Sequence, residues 1–199
     1  MSSLNEISTL ISDPLAQFEK EYGKHLHSEV PLLQSITTFL TTRQGKHIRP
    51  MLTLLSAGAA IGAIEEKKIK LAVGLEMLHN SSLIHDDIVD EAQLRRGIPT
   101  VNQRWGNKIA VLAGDFFLAN VMRILCSYAT SHEMLIVNRT AIEMSEGEIL
   151  QQQTVHNSDF SIENYRNTIF KKTASLLSSC CEIGCLHDAI DPNFPEMFR

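Results

Sequence analysis

Apolar residues recur at helical spacing along almost the whole chain, and no run of strict alternation bounded by hairpin turn signals interrupts them. That pattern confines the chain to an all-α fold. Helices are predicted over about Asn5–Tyr22, Val30–Arg43, Arg49–Ala60, Glu65–Asp90, Lys108–Tyr128, His132–Val155 and Ile162–Leu186. Several are longer than ordinary globular helices, and at about 1.5 Å per residue Glu65–Asp90 would run about 39 Å. Helices of this length pack as a bundle of long antiparallel helices, in which functional sites are built from side chains facing a central cavity. With 199 residues, 44% hydrophobic and 21% charged, a single domain over 1–199 is expected.

The formal net charge of −5 argues against general nucleic-acid binding, which needs a basic face, but leaves room for a local basic pocket. Residues 1–30 carry no basic segment followed by an apolar run. No uninterrupted apolar stretch reaches the roughly 20 residues that span a bilayer, so no integral membrane segment is expected and a cytoplasmic protein is. Cys180, Cys181 and Cys185 cluster and Cys126 stands alone, which matches neither a zinc site nor a disulfide framework; buried helical thiols are expected.

The segment LIHDDIVDEAQLRRG places Asp86, Asp87 and Asp90 at the end of the longest predicted helix and two arginines just behind them. Asp86 and Asp90 fall one turn apart on one face with Asp87 beside them, so the carboxylates repel one another, and the helix C-terminus disfavours them further. A divalent cation would offset both effects. Hard carboxylate oxygens suit Mg²⁺, which keeps waters and shares its shell with substrate phosphate oxygens. The plain alternative is a solvated acidic helix end paired with Arg95 and Arg96.

Two cationic segments bear on the choice. In RQGKHIRP, Gly45 frees the backbone, Lys46 and Arg49 sit in a turn, and Pro50 starts the next helix; lysine and arginine there are suited to diphosphate. His79 lies seven residues before Asp86, two turns away on nearly the same face, and looks toward the same space. In FKKTASLL, Lys171 and Lys172 interrupt a mostly apolar helix; only one can point inward, and Thr173 can bond back along the helix.

Together, GKHIRP, EMLHNSSLIHDDIVDEAQLRRGIPTVN, AVLAGDFFLAN, EGEILQ and FKKTASLL resemble the trans-isoprenyl diphosphate synthases, most closely the polyprenyl (octaprenyl-like) branch, over nearly the whole chain. The resemblance implies an isoprenoid synthase-like bundle and a prenyltransferase of isoprenoid biosynthesis. Such an enzyme condenses isopentenyl diphosphate with an allylic diphosphate into a medium- or long-chain polyprenyl diphosphate, with Mg²⁺ as cofactor. By motif match, Asp86, Asp87 and Asp90 would hold the metal and Arg95 would contact the allylic diphosphate. Gly45, Lys46, Arg49, His79 and Arg96 would form the isopentenyl diphosphate site. Lys172 and Thr173 would sit beside the developing carbocation, Gln151 would be a polar contact, and Ser81 and Ser82 would gate chain length. Small residues there leave the path open, so phenylalanine at either position is expected to shorten the product.

Family members also carry a second aspartate-rich motif toward the C-terminus, which is absent from this sequence. The chain therefore reads as the N-terminal part of a larger prenyltransferase domain, a bundle incomplete at its C-terminal side, with Phe194, Met197 and Phe198 beginning a further apolar stripe. The chain alone is expected to bind its ligands weakly and not to turn over, and to self-associate into a homodimer or a hetero-oligomer. A non-catalytic or regulatory subunit of such a synthase is the main alternative. An HD-type metal phosphohydrolase using His85 and Asp86 would leave GKHIRP and RRG unexplained, and a terpene cyclase has no use for a second diphosphate site.

Overall fold

The computed structural model describes residues 4–42, 45–157 and 161–187. It is a helical bundle arranged around one central element. The helices are α1 (Leu4–Thr9), α2 (Ser12–His25), α3 (Pro31–Thr41), α4 (Ile48–Ile61) and α5 (Glu66–Val89). A connection carrying strands β1 (Leu94–Arg95) and β2 (Ile98–Pro99) and the short α6 (Val101–Trp105) leads to α7 (Asn107–Tyr128) and α8 (Ser131–Asn157). The chain then runs through α9 (Ile162–Ile169), a π-helical turn at Phe170–Ala174 and α10 (Ser175–Cys185).

Residues Leu71 through Leu78 are all buried, so α5 is covered on every side and forms the centre of the bundle. Along α7, Ala110, Ala113, Phe117, Val121 and Ile124 recur at helical spacing and form the face that packs on α5. At Gly74 the two helices lie close enough that an added Cβ would be in van der Waals contact with Ile124 at 3.4 Å. Lys68, only 3% exposed, reaches Glu133 Oε1 at 2.9 Å and the carbonyl oxygen of Ile183 at 2.7 Å, tying α5 to α8 and α10. Glu133 also closes the N-terminus of α8: Thr130 Oγ1 accepts from the Glu133 amide at 3.2 Å and Glu133 Oε2 accepts from the Thr130 amide at 2.8 Å.

Several sequence expectations need correction. The first helix is two, because Pro14 has no amide hydrogen and is accommodated only in the first turn of a new helix, α2. The last predicted helix is interrupted by the π-helical turn, which spans both lysines and Thr173. Arg49 is the second residue of α4 and not a turn residue, with His47 just before it in the left-handed region at φ 47°. The two strands pair antiparallel, Leu94 opposite Pro99 and Arg95 opposite Ile98, around Arg96 and Gly97 at φ 53° and 79°. A two-residue hairpin needs positive φ at both central residues, and an Arg-Gly pair signals that less clearly than Asn-Gly or Asp-Gly.

Among the thiols, Cys180 and Cys185 are buried, but Cys126 is exposed and Cys181 half-buried. By length and composition α7 is apolar enough to cross a membrane, but Lys108, Asp115 and Arg123 interrupt its apolar run and one face packs on α5, as in the core helix of a bundle. Residues 43, 194, 197 and 198, on which the predicted helix end and the C-terminal apolar stripe rest, lie outside the described residues.

Candidate functional site

Adjacent aspartates near the end of α5 open onto two different cavities. Asp86 lines one of about 370 Å³, together with Ser81, Ser82, His85, Glu148 and Lys172 and an apolar remainder that includes Leu78, Leu118 and Met144. Asp87 lines another of about 220 Å³, with Gly45, Glu76, His79, Arg95 and Arg96. Consecutive helical residues point about 100° apart, so one Asp-Asp pair serves both sides of the helix.

In the first cavity Lys172 reaches Glu148 Oε2 at 2.5 Å, while Lys171 pairs with Glu146 on the outside. Of the two lysines, then, Lys172 faces inward. Burial, first, and then the Glu148 carboxylate and Asp90 push the Asp86 carboxyl up to about 6, against the pull of Lys172 and Arg95. Asp90 is exposed one turn beyond. Asp86 and Asp90 supply hard oxygens one helical turn apart, which fits a divalent cation. Among the described residues no three His, Cys, Asp or Glu side chains converge closely enough to cage a metal, so such an ion would draw further ligands from phosphate oxygens and water.

His85, which the phosphohydrolase alternative would need beside Asp86, turns instead toward α7. Its Nε2 lies 3.3 Å from the Val111 carbonyl oxygen and 3.6 Å from Asp115 Oδ1, over Gly114, where any Cβ would collide with the ring. Ser81 donates to the Gly114 carbonyl at 2.9 Å and Ser82 to that of His79 at 2.9 Å, so both gate candidates are bonded along the cavity wall. A third cavity of about 460 Å³ shares Leu78, Leu118 and Ala141 with the first and continues it past Val121, Met122, Leu125 and Met134.

In the cationic pocket, Arg95 donates to Asp87 Oδ1 through Nε at 2.8 Å and Nη2 at 2.7 Å. Gly45 lies against Arg96, where a Cβ would be 3.2 Å from the guanidinium. Both arginines border this pocket, whereas the resemblance divided them between two substrates. Arg49 is half-buried close by; its Nε is buried without a hydrogen-bond partner, and burial lowers its pKa below the ordinary guanidinium value despite the attraction of Glu76. Burial, then the charges of Arg49, Arg95 and Arg96, hold His79 down at about 4, with Glu76 opposing. His79 is therefore neutral near pH 7, with Arg49, Arg95 and Arg96 acting on it and Glu76 and Asp87 on the same pocket wall.

A pH effect follows from His79. The unfolded side chain takes up a proton near its ordinary value of 6.5, but the folded one does so only near 4, so its contribution to stability is lost as pH falls from 6.5 toward 4. At pH 5 this costs about 2 kcal/mol, which His79→Gln should remove. Asp86, raised to about 6, changes stability in the opposite sense across the same window. Urea titrations at pH 7 and pH 5 should therefore show the His79→Gln chain gaining on the wild type on acidification; a constant difference between them would contradict the assignment.

Not every candidate reaches a cavity. Thr173 and Lys46 are exposed, and Gln151 is half-buried; none of the three lines either cavity. Residues that the sequence reading did not single out hold the site together. Glu148 meets Lys172, Glu76 lies 3.6 Å from the His47 ring, and Asn102 donates to the Asp87 carbonyl at 3.1 Å and the Ala92 carbonyl at 3.2 Å. Thr100, which caps α6, also donates to the Ala92 carbonyl at 2.7 Å, so the α5 terminus is pinned from the connection. A threonine ahead of VNQRW is a legible helix start; the Glu148 pairing had no local signal.

Similar chains occur among known proteins. Heptaprenyl diphosphate synthase component 2 of Bacillus subtilis is 35% identical over 184 residues, 92% of this chain and 52% of that protein. Octaprenyl diphosphate synthase of Escherichia coli is 31% identical over 90% of this chain and 55% of its own length. A crystal structure of a polyprenyl synthase from Caulobacter crescentus, complexed with calcium and isoprenyl diphosphate, superposes with a TM-score of 0.92 at 29% identity, covering 98% of this chain and 60% of that one. The chain thus spans about half the length of the curated relatives it matches. The sequence profile of polyprenyl synthetases matches residues 30–198, and with the helical fold and the relatives in agreement, the chain belongs to the polyprenyl synthetase family.

Proposed function

We propose that the chain carries the two diphosphate sites of a trans-prenyltransferase, which joins isopentenyl diphosphate to an allylic diphosphate to make a medium- or long-chain polyprenyl diphosphate. One observation carries this reading: Asp86 and Asp87 open onto separate cavities, one apolar and one cationic, on two sides of one helix. A single-substrate hydrolase or cyclase has no need of both.

The allylic diphosphate would lie between Asp86 and Lys172, with its hydrocarbon tail running through Ser81 and Ser82 toward Met122 and Met134. Isopentenyl diphosphate would take the pocket of Gly45, His79 and Arg96, with Arg49 behind it. Mg²⁺ on Asp86 and Asp90 would neutralise charge on the departing diphosphate. Lys172 supplies a further cation on that leaving group, and the apolar wall keeps water from the allylic cation that forms as the bond breaks. Attack by the isopentenyl double bond and loss of a proton complete the condensation, with no protein nucleophile.

The apolar, exposed row Leu135, Ile142 and Ile149 on α8 supports association with another chain, and the name of the Bacillus subtilis relative, component 2, makes a hetero-oligomer as reasonable as a homodimer. The free thiols fit a reducing compartment, which favours the cytoplasm.

Radiolabelled isopentenyl diphosphate should be retained by the chain in equilibrium dialysis, and Arg96→Ala should weaken it by about tenfold, as loss of a charge-assisted phosphate contact does. Absence of retention, or equal retention by Arg96→Ala, would contradict the second diphosphate site.

A further inference from the structure

Where α8 meets the π-helical turn, two acidic residues flank a glycine, two lysines face them, and the inner pair sits on the wall of the Asp86 cavity. Lys172 Nζ is 2.5 Å from Glu148 Oε2, and both side chains are largely shielded, at 25% and 16% exposure. The other carboxylate oxygen, Glu148 Oε1, is buried with no hydrogen-bond partner. Gly147 makes the contact possible: a Cβ there would be 2.6 Å from the Lys172 amide nitrogen, so any larger residue would push the π-helical turn away from α8. Single-turn π-helices concentrate at functional sites, because the extra residue in the turn changes which side chains face inward.

A purely structural ion pair would normally satisfy both carboxylate oxygens or sit in solvent. This one leaves an oxygen unsatisfied beside a cavity that also holds Asp86. Lys172 is thereby held within reach of whatever anion enters, by a partner that is itself incompletely bonded. An incoming diphosphate offers the ammonium several charged oxygens in exchange for one.

We propose that Glu148 is a positioning residue for Lys172: it holds the ammonium on the cavity wall facing Asp86 and gives it up to an incoming substrate diphosphate. The proposal rests on the reading of that cavity as the allylic diphosphate site. Glu148 competes with the ligand for Lys172 and also repels it, so the clasp sets the lysine's position at a cost in ground-state affinity. Glu146, which holds Lys171 outside the cavity, has no such effect.

The test is titration calorimetry with farnesyl diphosphate and Mg²⁺, since the prenyl tail directs this ligand to the apolar cavity and away from the cationic pocket. Glu148→Gln keeps the shape and removes the charge, and it should bind about tenfold more tightly than the wild type. Glu148→Asp, which restores the charge, should return toward wild-type affinity, and Glu146→Gln should match the wild type. Unchanged or weaker binding by Glu148→Gln would overturn the clasp, the weaker result marking Glu148 as a cation ligand or a plain structural residue. A second readout stands apart from ligand binding: acylation of Lys172 by an amine-directed reagent, followed by mass spectrometry, should quicken about threefold in Glu148→Gln as the charge-assisted bond is lost. If the wild type fails to bind farnesyl diphosphate, the reading of the cavity falls and the acylation alone decides the clasp; an unchanged rate overturns it.

Discussion

Replacing Glu133 with glutamine is expected to lower the unfolding free energy by about 3–5 kcal/mol, the cost of leaving a buried charge without its partner. Glu133 is 1% exposed and accepts from Lys68 at 2.9 Å, from Lys67 at 2.7 Å and from the Thr130 amide at 2.8 Å. Its loss strands the Lys68 ammonium where α5, α8 and α10 meet. Lys68→Met should cost a similar amount, and the double variant should recover much of the loss, because two neutral side chains no longer carry an unpaired charge. Guanidinium titrations of the four chains measure the coupling directly. Burial alone would raise the Glu133 carboxyl, but the bonds from Lys67, Thr130 and Lys68 outweigh it and hold it below its ordinary value. Its stabilisation is therefore complete above the ordinary carboxylate range and is lost as pH falls through the depressed value. Additive losses in the cycle would show that the ion pair contributes nothing as a pair.

The second large effect concerns Asp86. Asp86→Ala is expected to weaken Mg²⁺-dependent binding of an allylic diphosphate by about two orders of magnitude or more, since it removes a hard-oxygen ligand from a cavity with no substitute of the same placement. Far-ultraviolet circular dichroism should be unchanged, because Asp86 is close to the end of α5, where alanine keeps the helix. Titration calorimetry in Mg²⁺ checks the first expectation. Affinity within threefold or so of the wild type would remove Asp86 from the metal site.

The long helices were legible because their apolar residues keep the helical period over many turns: α5, α7 and α8 end within about two residues of where the pattern predicts. The aspartates and the lysine pair were legible for the opposite reason, since charge in such an apolar setting needs an explanation. What local pattern could not supply was partnership. Glu148 and Lys172 are 24 positions apart and meet only because a π-helical turn and Gly147 let two helices touch. The hairpin at Arg96 and Gly97 is too short to show alternation, and yet it carries both arginines into the pocket of His79. Lys46 and Thr173 looked equivalent to Arg49 and Lys172 in the sequence, but exposed backbone positions in a loop and on the outside of a turn put them elsewhere.

The central claim is that the Asp86 cavity takes an allylic diphosphate together with a divalent cation. Titration of the wild-type chain with farnesyl diphosphate, once with Mg²⁺ and once with excess chelator, tests it most directly. Saturable binding in Mg²⁺ that is lost on chelation is predicted; equal affinity in both conditions, or no binding in either, would contradict it.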